Sequence, residues 1–255
     1  MSRTDAPAAT PRRDQIRREA ARLFAARGFL GVGVDEIGRA VGISGPGLYR
    51  HFAGKDAMLA DLLVGISERL LDEGRRRAED APGAAAALDA LVRGHIDFAL
   101  DDQDLITLHD RELLHLKDED RRRVRRLQRS YVELWVDVVR RAFPAPSPLA
   151  AEPGARAAVH AVFGLLNSTP HSAVRRGAQP ALGRDAMAAL LHRLALGALA
   201  AAAGTDGGAP APVQAPVQAL DPNPDPAAVP SPPDGRAAAG PGGSARPGDR
   251  PLPGG

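Results

Sequence analysis

Residues 34–55, Val-Asp-Glu-Ile-Gly-Arg-Ala-Val-Gly-Ile-Ser-Gly-Pro-Gly-Leu-Tyr-Arg-His-Phe-Ala-Gly-Lys, constrain this chain more than any other stretch. Ile37, Ala40 and Val41 share one face of a short helix over about Val34–Val41. Gly42 then supplies a left-handed turn without the steric cost of a Cβ. Ser44 is placed to cap the next helix by accepting a hydrogen bond from the Gly47 amide. Pro46 is tolerated there because first-turn amides have no intrahelical acceptor. Leu48 and Phe52, four apart, face inward, Tyr49, Arg50 and the Gly45–Gly47 edge face out, and Gly54 breaks the helix. Two short helices joined by a tight turn form a helix-turn-helix, whose second helix suits a DNA major groove.

Helical periodicity runs through the rest of residues 12–203, and no segment alternates as a strand does, so the fold class is all-α with about nine helices. A first helix over Arg12–Arg27 carries an apolar stripe of Ile16, Ala20, Leu23 and Phe24 and stops at Gly28. After the helix-turn-helix come helices over about Lys55–Glu79, Ala84–Leu100, Leu105–Leu116, Asp118–Phe143, Glu152–Ser168 and Arg184–Ala203. Asp118-Glu119-Asp120 ahead of an arginine-rich run complements the dipole of the seventh. Pro144, Pro146, Pro148 and Pro170 punctuate the chain.

Composition narrows the function classes. Residues 204–255 are nearly half Pro and Gly and lack any aromatic residue, so they are expected to be disordered, like an N-terminal arm over 1–11. With no cysteine, disulfides, thiol catalysis and Cys-ligated metal are excluded. The N-terminus shows no apolar signal-like region, and the apolar run Leu194–Ala203 is short, so a cytoplasmic protein without a membrane span is expected. The net charge is +2, but residues 1–55 hold ten Lys/Arg against five Asp/Glu. A positive head is the electrostatic footprint of a polyanion partner.

Gly28-Phe29, Val34-Asp35-Glu36-Ile37-Gly38, Val41-Gly42-Ile43-Ser44, Leu48-Tyr49-Arg50-His51-Phe52 and Gly54-Lys55-Asp56 together resemble the tetracycline-repressor (TetR) family of bacterial transcriptional regulators. The resemblance implies a DNA-binding domain over 12–56 and a ligand-binding and dimerisation domain over 57–203. It also implies a homodimer through helices at about 152–203 and a double-stranded DNA operator as partner. Arg111-Glu112-Leu113, Tyr131–Trp135 and His160–Pro170 resemble an actinobacterial subgroup, some of whose relatives respond to acyl-coenzyme A thioesters. Two departures stand out. Val32 and Gly33 replace the family's usual hydroxyl cap on the second helix. Gly45-Pro46-Gly47 replaces a trio that normally carries side-chain donors.

The residues expected to contact DNA are Arg39, Ser44, Gly45, Pro46, Gly47, Tyr49, Arg50, His51 and Lys55. Tyr49, His51 and Lys55 suit phosphates, whereas the Arg50 fork matches a guanine edge or a phosphate. His109, Glu112, Tyr131, Trp135, Phe163 and Asn167 are the candidate ligand-binding residues. Asn167 in a Leu-Leu-Asn run needs a polar partner, which a ligand, a neighbouring helix or a dimer partner would supply. His109, Glu112 and His115 lack a His-Glu-x-x-His pattern, so no metal site and no cofactor is expected. A ligand-responsive repressor, not an enzyme, is the leading expectation. Its effector would be hydrophobic or acyl-CoA-like. The alternatives are a constitutive DNA-binding dimer with a filled core and a small helical enzyme using His109, Glu112 and His115.

Overall fold

A computed structural model of the chain describes residues 12–169 and 182–204, all within the first of two units, residues 1–211. The expected arm at 1–11, the stop at Pro170 and the tail from 205 onward lie outside the described residues. Nine α-helices and no strand occur among the described residues. They are α1 (Arg12–Arg27), α2 (Val34–Ala40), α3 (Gly45–Tyr49), α4 (Lys55–Glu79), α5 (Ala84–Asp101), α6 (Gln103–Glu112), α7 (Asp118–Ala142), α8 (Glu152–Leu166) and α9 (Arg184–Ala202).

The expected boundaries shift at three places. α3 ends at Tyr49, and Arg50 and His51 form a turn, because Gly54 leaves no room for another helical turn before α4. α6 begins two residues early and gives way at Leu113–His115 to a 3-10 turn. α8 ends at Leu166, where the Asn167 amide closes the last turn on the Phe163 carbonyl and the Ser168 hydroxyl donates to Leu165 O. The Ser44 cap forms as the sequence implies, with Gly47 N–H donating to Ser44 Oγ at 3.2 Å. Gly28 and Gly42 take φ of 77° and 70°, and Gly33 starts α2 without a side-chain cap.

Apolar burial is organised around two clusters. In the head, Ile16, Phe24, Ile37, Leu48 and Phe52 join Met58, Leu59 and Leu63 of α4. The same cluster takes in Leu108 of α6, Leu116, and Val124 of α7, so the core of the head runs well past residue 56. The body core is built from Leu88, Leu91 and Val92 of α5, Trp135 and Val139 of α7, Val159 and Val162 of α8, and Leu191 and Leu199 of α9. Each such side chain fully buried contributes about 1.5–3 kcal/mol. α4 therefore belongs to both cores, its first half to the head and Leu71 to the body.

α9 begins ten residues before the expected apolar run Leu194–Ala203. It is long and apolar enough, by length and composition alone, to cross a membrane, because an Ala-rich run extends upstream of Leu194. Leu191, Ala195 and Leu199 are buried, and His192 is hydrogen-bonded to Asp89 of α5 at 2.6 Å. Leu194, Gly197 and Ala198 are exposed.

Two helical glycines give opposite expectations. A Cβ at Gly38 in α2 would meet the Ile43 carbonyl oxygen at 2.8 Å, whereas one at Gly65 in α4 meets nothing within 4 Å. Gly38→Ala should cost about 1–3 kcal/mol through backbone displacement in the α2–α3 turn. Gly65→Ala should gain about 0.5–1 kcal/mol through helix propensity. Urea denaturation midpoints of the two variants against the parent check both signs.

Candidate functional site

The head presents α3 outward. Tyr49 is 56% exposed, and Arg39 and Arg50 are exposed as well. Leu48 and Phe52 beneath them are buried, so the core fixes which way Tyr49 and Arg50 point. Ser44 and Pro46 are exposed, Gly45 and Gly47 half-buried, and together they present backbone and no cationic side chain. His51 is half-buried, and its carbonyl accepts from Arg13 at 3.2 Å. Arg12 and Arg13 are the first residues of α1. Arg12 donates to Val41 O at 2.9 Å. Arg13 pairs with Asp61 at 2.7 Å and lies over the Phe52 ring. Burial alone would raise the Asp61 carboxyl, but hydrogen bonds from Arg17 and Arg13 outweigh it and hold it below the usual range.

Lys55 differs from its sequence-based expectation. Its ammonium donates to Phe29 O at 3.1 Å and Val32 O at 3.3 Å, and sits 4.5 Å from the centre of the Phe29 ring. Two of its three donors thus hold the α1–α2 loop to the start of α4, which leaves one for any phosphate. On the other side of that loop, Glu112 is buried at the end of α6, 3.6 Å from where a Gly28 Cβ would stand. Glu112 pairs with His115 at 2.9 Å, and the His115 ring stands 5.5 Å from Phe29. Glu112 is therefore a contact between body and head, and does not line the ligand cavity expected of it.

That cavity lies among α4, α5, α6, α7 and α8 and has a volume of about 460 Å³. Ile66 and Leu70 of α4, Phe98 of α5, Ile106 of α6 and Val132 of α7 supply apolar wall. Arg125 and Arg129 of α7 and Arg156 and His160 of α8 also line it. Tyr131, Phe163 and Asn167, predicted as ligand contacts, do converge on it, as does His109. Trp135 does not line it. Its indole is fully buried behind Tyr131 and Phe163, with ring centres 6.1 and 5.0 Å away. Splitting His109 from Glu112 and His115 dissolves the trio that a helical enzyme would need. His109 faces the cavity and contacts Gln128, and burial pushes its pKa down despite Asp110.

His95 of α5 is the interior residue that sequence reasoning missed. It is buried, and it ties α5 to α7 and to the residue that follows α8: Nδ1 lies 3.3 Å from the Tyr131 hydroxyl of α7 and Nε2 3.0 Å from Asn167 Oδ1. Its ring stacks on Phe163 at 4.8 Å. Burial lowers its pKa to about 4, against a smaller opposing effect of Asn167, so it is neutral near pH 7. The signal was present in the sequence, since Leu88, Leu91, Val92 and Ile96 define an apolar face on which His95 falls.

The depressed His95 pKa makes stability depend on pH with a definite sign. Below about pH 6.5 the unfolded chain binds a proton that folded His95 refuses until about pH 4, so stability falls as pH drops through that window. Urea midpoints should show a loss of about 2 kcal/mol between pH 7.5 and 5. In His95→Gln that part of the loss should vanish. A parent and variant with the same pH dependence would show that His95 is not held neutral.

The comparisons with known proteins fit this geometry. Residues 16–62 match the family model described as bacterial regulatory proteins, tetR family, and residues 81–171 match the tetracyclin repressor-like C-terminal domain, together more than half of the chain. The HTH-type transcriptional repressor KstR2 of Rhodococcus jostii (strain RHA1) is 30% identical over 129 residues. That match spans 50% of this chain and 63% of the relative, just under two thirds of its length. Among solved structures, the ketosteroid transcriptional regulator KstR2 of Mycobacterium tuberculosis is 20% identical with a TM-score of 0.61, over 76% of this chain and 97% of that one. AibR, solved in complex with isovaleryl coenzyme A and operator DNA, is 19% identical with a TM-score of 0.57, over 72% and 97%. These two likenesses concern the fold. With both family models matched in order along the chain, the protein belongs to the TetR family of bacterial regulatory proteins.

Proposed function

We propose that this protein is a homodimeric transcriptional repressor that places two copies of α3 on a pseudo-palindromic operator and is released by a small apolar effector bound among α4–α8. The observation that carries the proposal is a continuous contact from cavity to head. α6 lines the cavity with Ile106 and His109, and three residues after His109 it sets Glu112 against the Gly28–Phe29 turn. That turn in turn holds Lys55 at the start of α4. An effector that displaces α6 therefore works on the loop that orients α2 and α3. It need favour the released arrangement by only a few kcal/mol to empty the operator.

Three further features support this function. The excess of positive charge lies in the head, where Tyr49, Arg39 and Arg50 are exposed. Small residues are exposed along α8 (Ala157, Ala161, Gly164) and α9 (Gly197, Ala198, Ala201), which lets two copies approach closely in a four-helix contact. AibR was solved with an acyl-coenzyme A and operator DNA, and the KstR2 relative is named a repressor. An acyl-CoA-type or similarly apolar effector fits an apolar cavity whose wall also includes arginines.

Sequencing genomic fragments retained by the purified dimer should give a two-fold symmetric site. On that site Tyr49→Phe with Arg50→Ala should weaken binding and reduce the magnitude of the salt slope by about 1–2. An unchanged slope would reassign the phosphate contacts.

Glu112→Gln tests the route from cavity to head. Acyl-coenzyme A thioesters from isovaleryl upward, titrated against the protein–DNA complex, should include at least one that releases the operator. In the variant, release should need roughly tenfold more of that thioester, equivalent to about 1.4 kcal/mol of lost coupling, with unchanged affinity for the DNA-free protein. If no thioester releases DNA, the acyl-CoA class is wrong. Parallel losses of binding and release would mean that Glu112 acts on the cavity itself.

A further inference from the structure

We propose that the inner end of the cavity is a carbonyl reader, in which Asn167 donates an amide N–H to a ketone-type oxygen on an apolar ligand and discriminates against an alcohol in the same place. This rests on the cavity being the effector site. It adds the chemistry of the group that the site selects.

The polarity comes from a three-residue relay of Tyr131, His95 and Asn167. The neighbouring Trp135 Nε1–H is a donor only, fully buried and without a hydrogen-bond partner, so it offers the Tyr131 hydrogen no acceptor. The Tyr131 hydrogen is therefore directed away from Trp135. His95 Nδ1, 3.3 Å away, is the acceptor. A neutral imidazole carries one N–H. With Nδ1 accepting, that hydrogen is on Nε2 and is donated to Asn167 Oδ1 at 3.0 Å. The acceptor atom of Asn167 is then occupied inward, and its two amide hydrogens are what it offers to the cavity it lines.

Reversing the relay is costly. An alcohol donating to Asn167 requires the amide to turn, His95 to donate toward Tyr131, and the phenol proton to be stranded. Its surroundings there are the rings of Phe163 (5.6 Å) and Trp135 (6.1 Å) and a second donor. A buried polar hydrogen without an acceptor is worth about a factor of ten or more in an equilibrium. Stacking of His95 on Phe163, with planes 13° apart, and of Tyr131 on Phe163, 7° apart, fixes the rings in this arrangement. The other hydroxyl on the wall does not compete, because Ser67 donates to Leu63 O of its own helix at 2.7 Å.

Trp135 is the chain's single tryptophan and touches the relay, so its emission reports occupancy in the full-length protein. Dodecan-2-one and dodecan-2-ol match in size and charge and differ in the hydrogen on the oxygen. The parent should bind the ketone at least about tenfold more tightly. Asn167→Asp, which presents acceptors instead, should reverse the preference. Tyr131→Phe, which removes the phenol that sets the polarity, should bring the ratio close to one, and it serves alone if the Asp variant does not fold. Equal affinities in the parent, or a ketone preference that survives both substitutions, overturn the carbonyl reader while leaving the effector cavity intact. If neither probe changes the Trp135 emission, the effector cavity and the reader fall together.

Discussion

The Phe29 backbone and ring are held from two sides, and the arrangement of head on body depends on that clamp. From α4, the Lys55 ammonium takes the carbonyls of Phe29 and Val32 and faces the ring. From the end of α6, Glu112 and His115 close on Gly28 and Phe29. A charge-assisted hydrogen bond is roughly twice as strong as a neutral one, and both sides of the clamp carry a charged or chargeable group. Glu112 is 6% exposed, and His115 Nδ1 at 2.9 Å is its polar partner there. The loop between α1 and α2 therefore works as a joint through which two helices of the body grip the head.

α4 completes that joint because it belongs to two cores. Its first half shares a cluster with Ile16, Phe24 and Leu48, and its second half one with Trp135 and the α5 leucines. A Cβ at Gly74 would come within 2.8 Å of Tyr131 Cε2, so α4 and α7 run in close contact beside the relay. Packed interiors have two discrete arrangements more readily than a continuum of small deformations. On the proposed function, displacement of a cavity wall would be passed along α4 and α6 to a head whose core includes residues of both helices.

How much of this was legible in the sequence follows from the range of the interactions involved. Helix identities, the Ser44 cap and the Gly42 turn are local, set by periodicity and by residues three or four apart, and they were readable. Lys55 was readable as a motif residue but not as an internal clamp, because its acceptors are carbonyls 23 and 26 residues away that carry no side-chain signature. Glu112 looked like a partner of His109, since three residues separate them. The 3-10 turn after Glu112 gives it His115 instead and points it at the head. His95 was hidden for the opposite reason: its partners lie 36 and 72 residues away, and only their convergence distinguishes it from an ordinary core position.

The side-chain poverty of the recognition helix is partly a consequence of packing within the head. The place where a Cβ on Gly45 would stand is 2.5 Å from Asp35 Oδ1 of α2, so a side chain at 45 requires that carboxylate to move. At Gly47 the nearest obstacle is Ser44 Oγ at 3.3 Å, the very atom that caps the helix. Glycine at 45 and 47 thus lets α2 and the cap approach α3 closely, and the same choice leaves backbone rather than side chains at the leading edge. On the proposed operator, base recognition would be confined to Tyr49, Arg50 and the fit of a bare helix edge to the groove. Such an interface would draw its affinity from phosphates and much of its selectivity from the shape and deformability of the duplex.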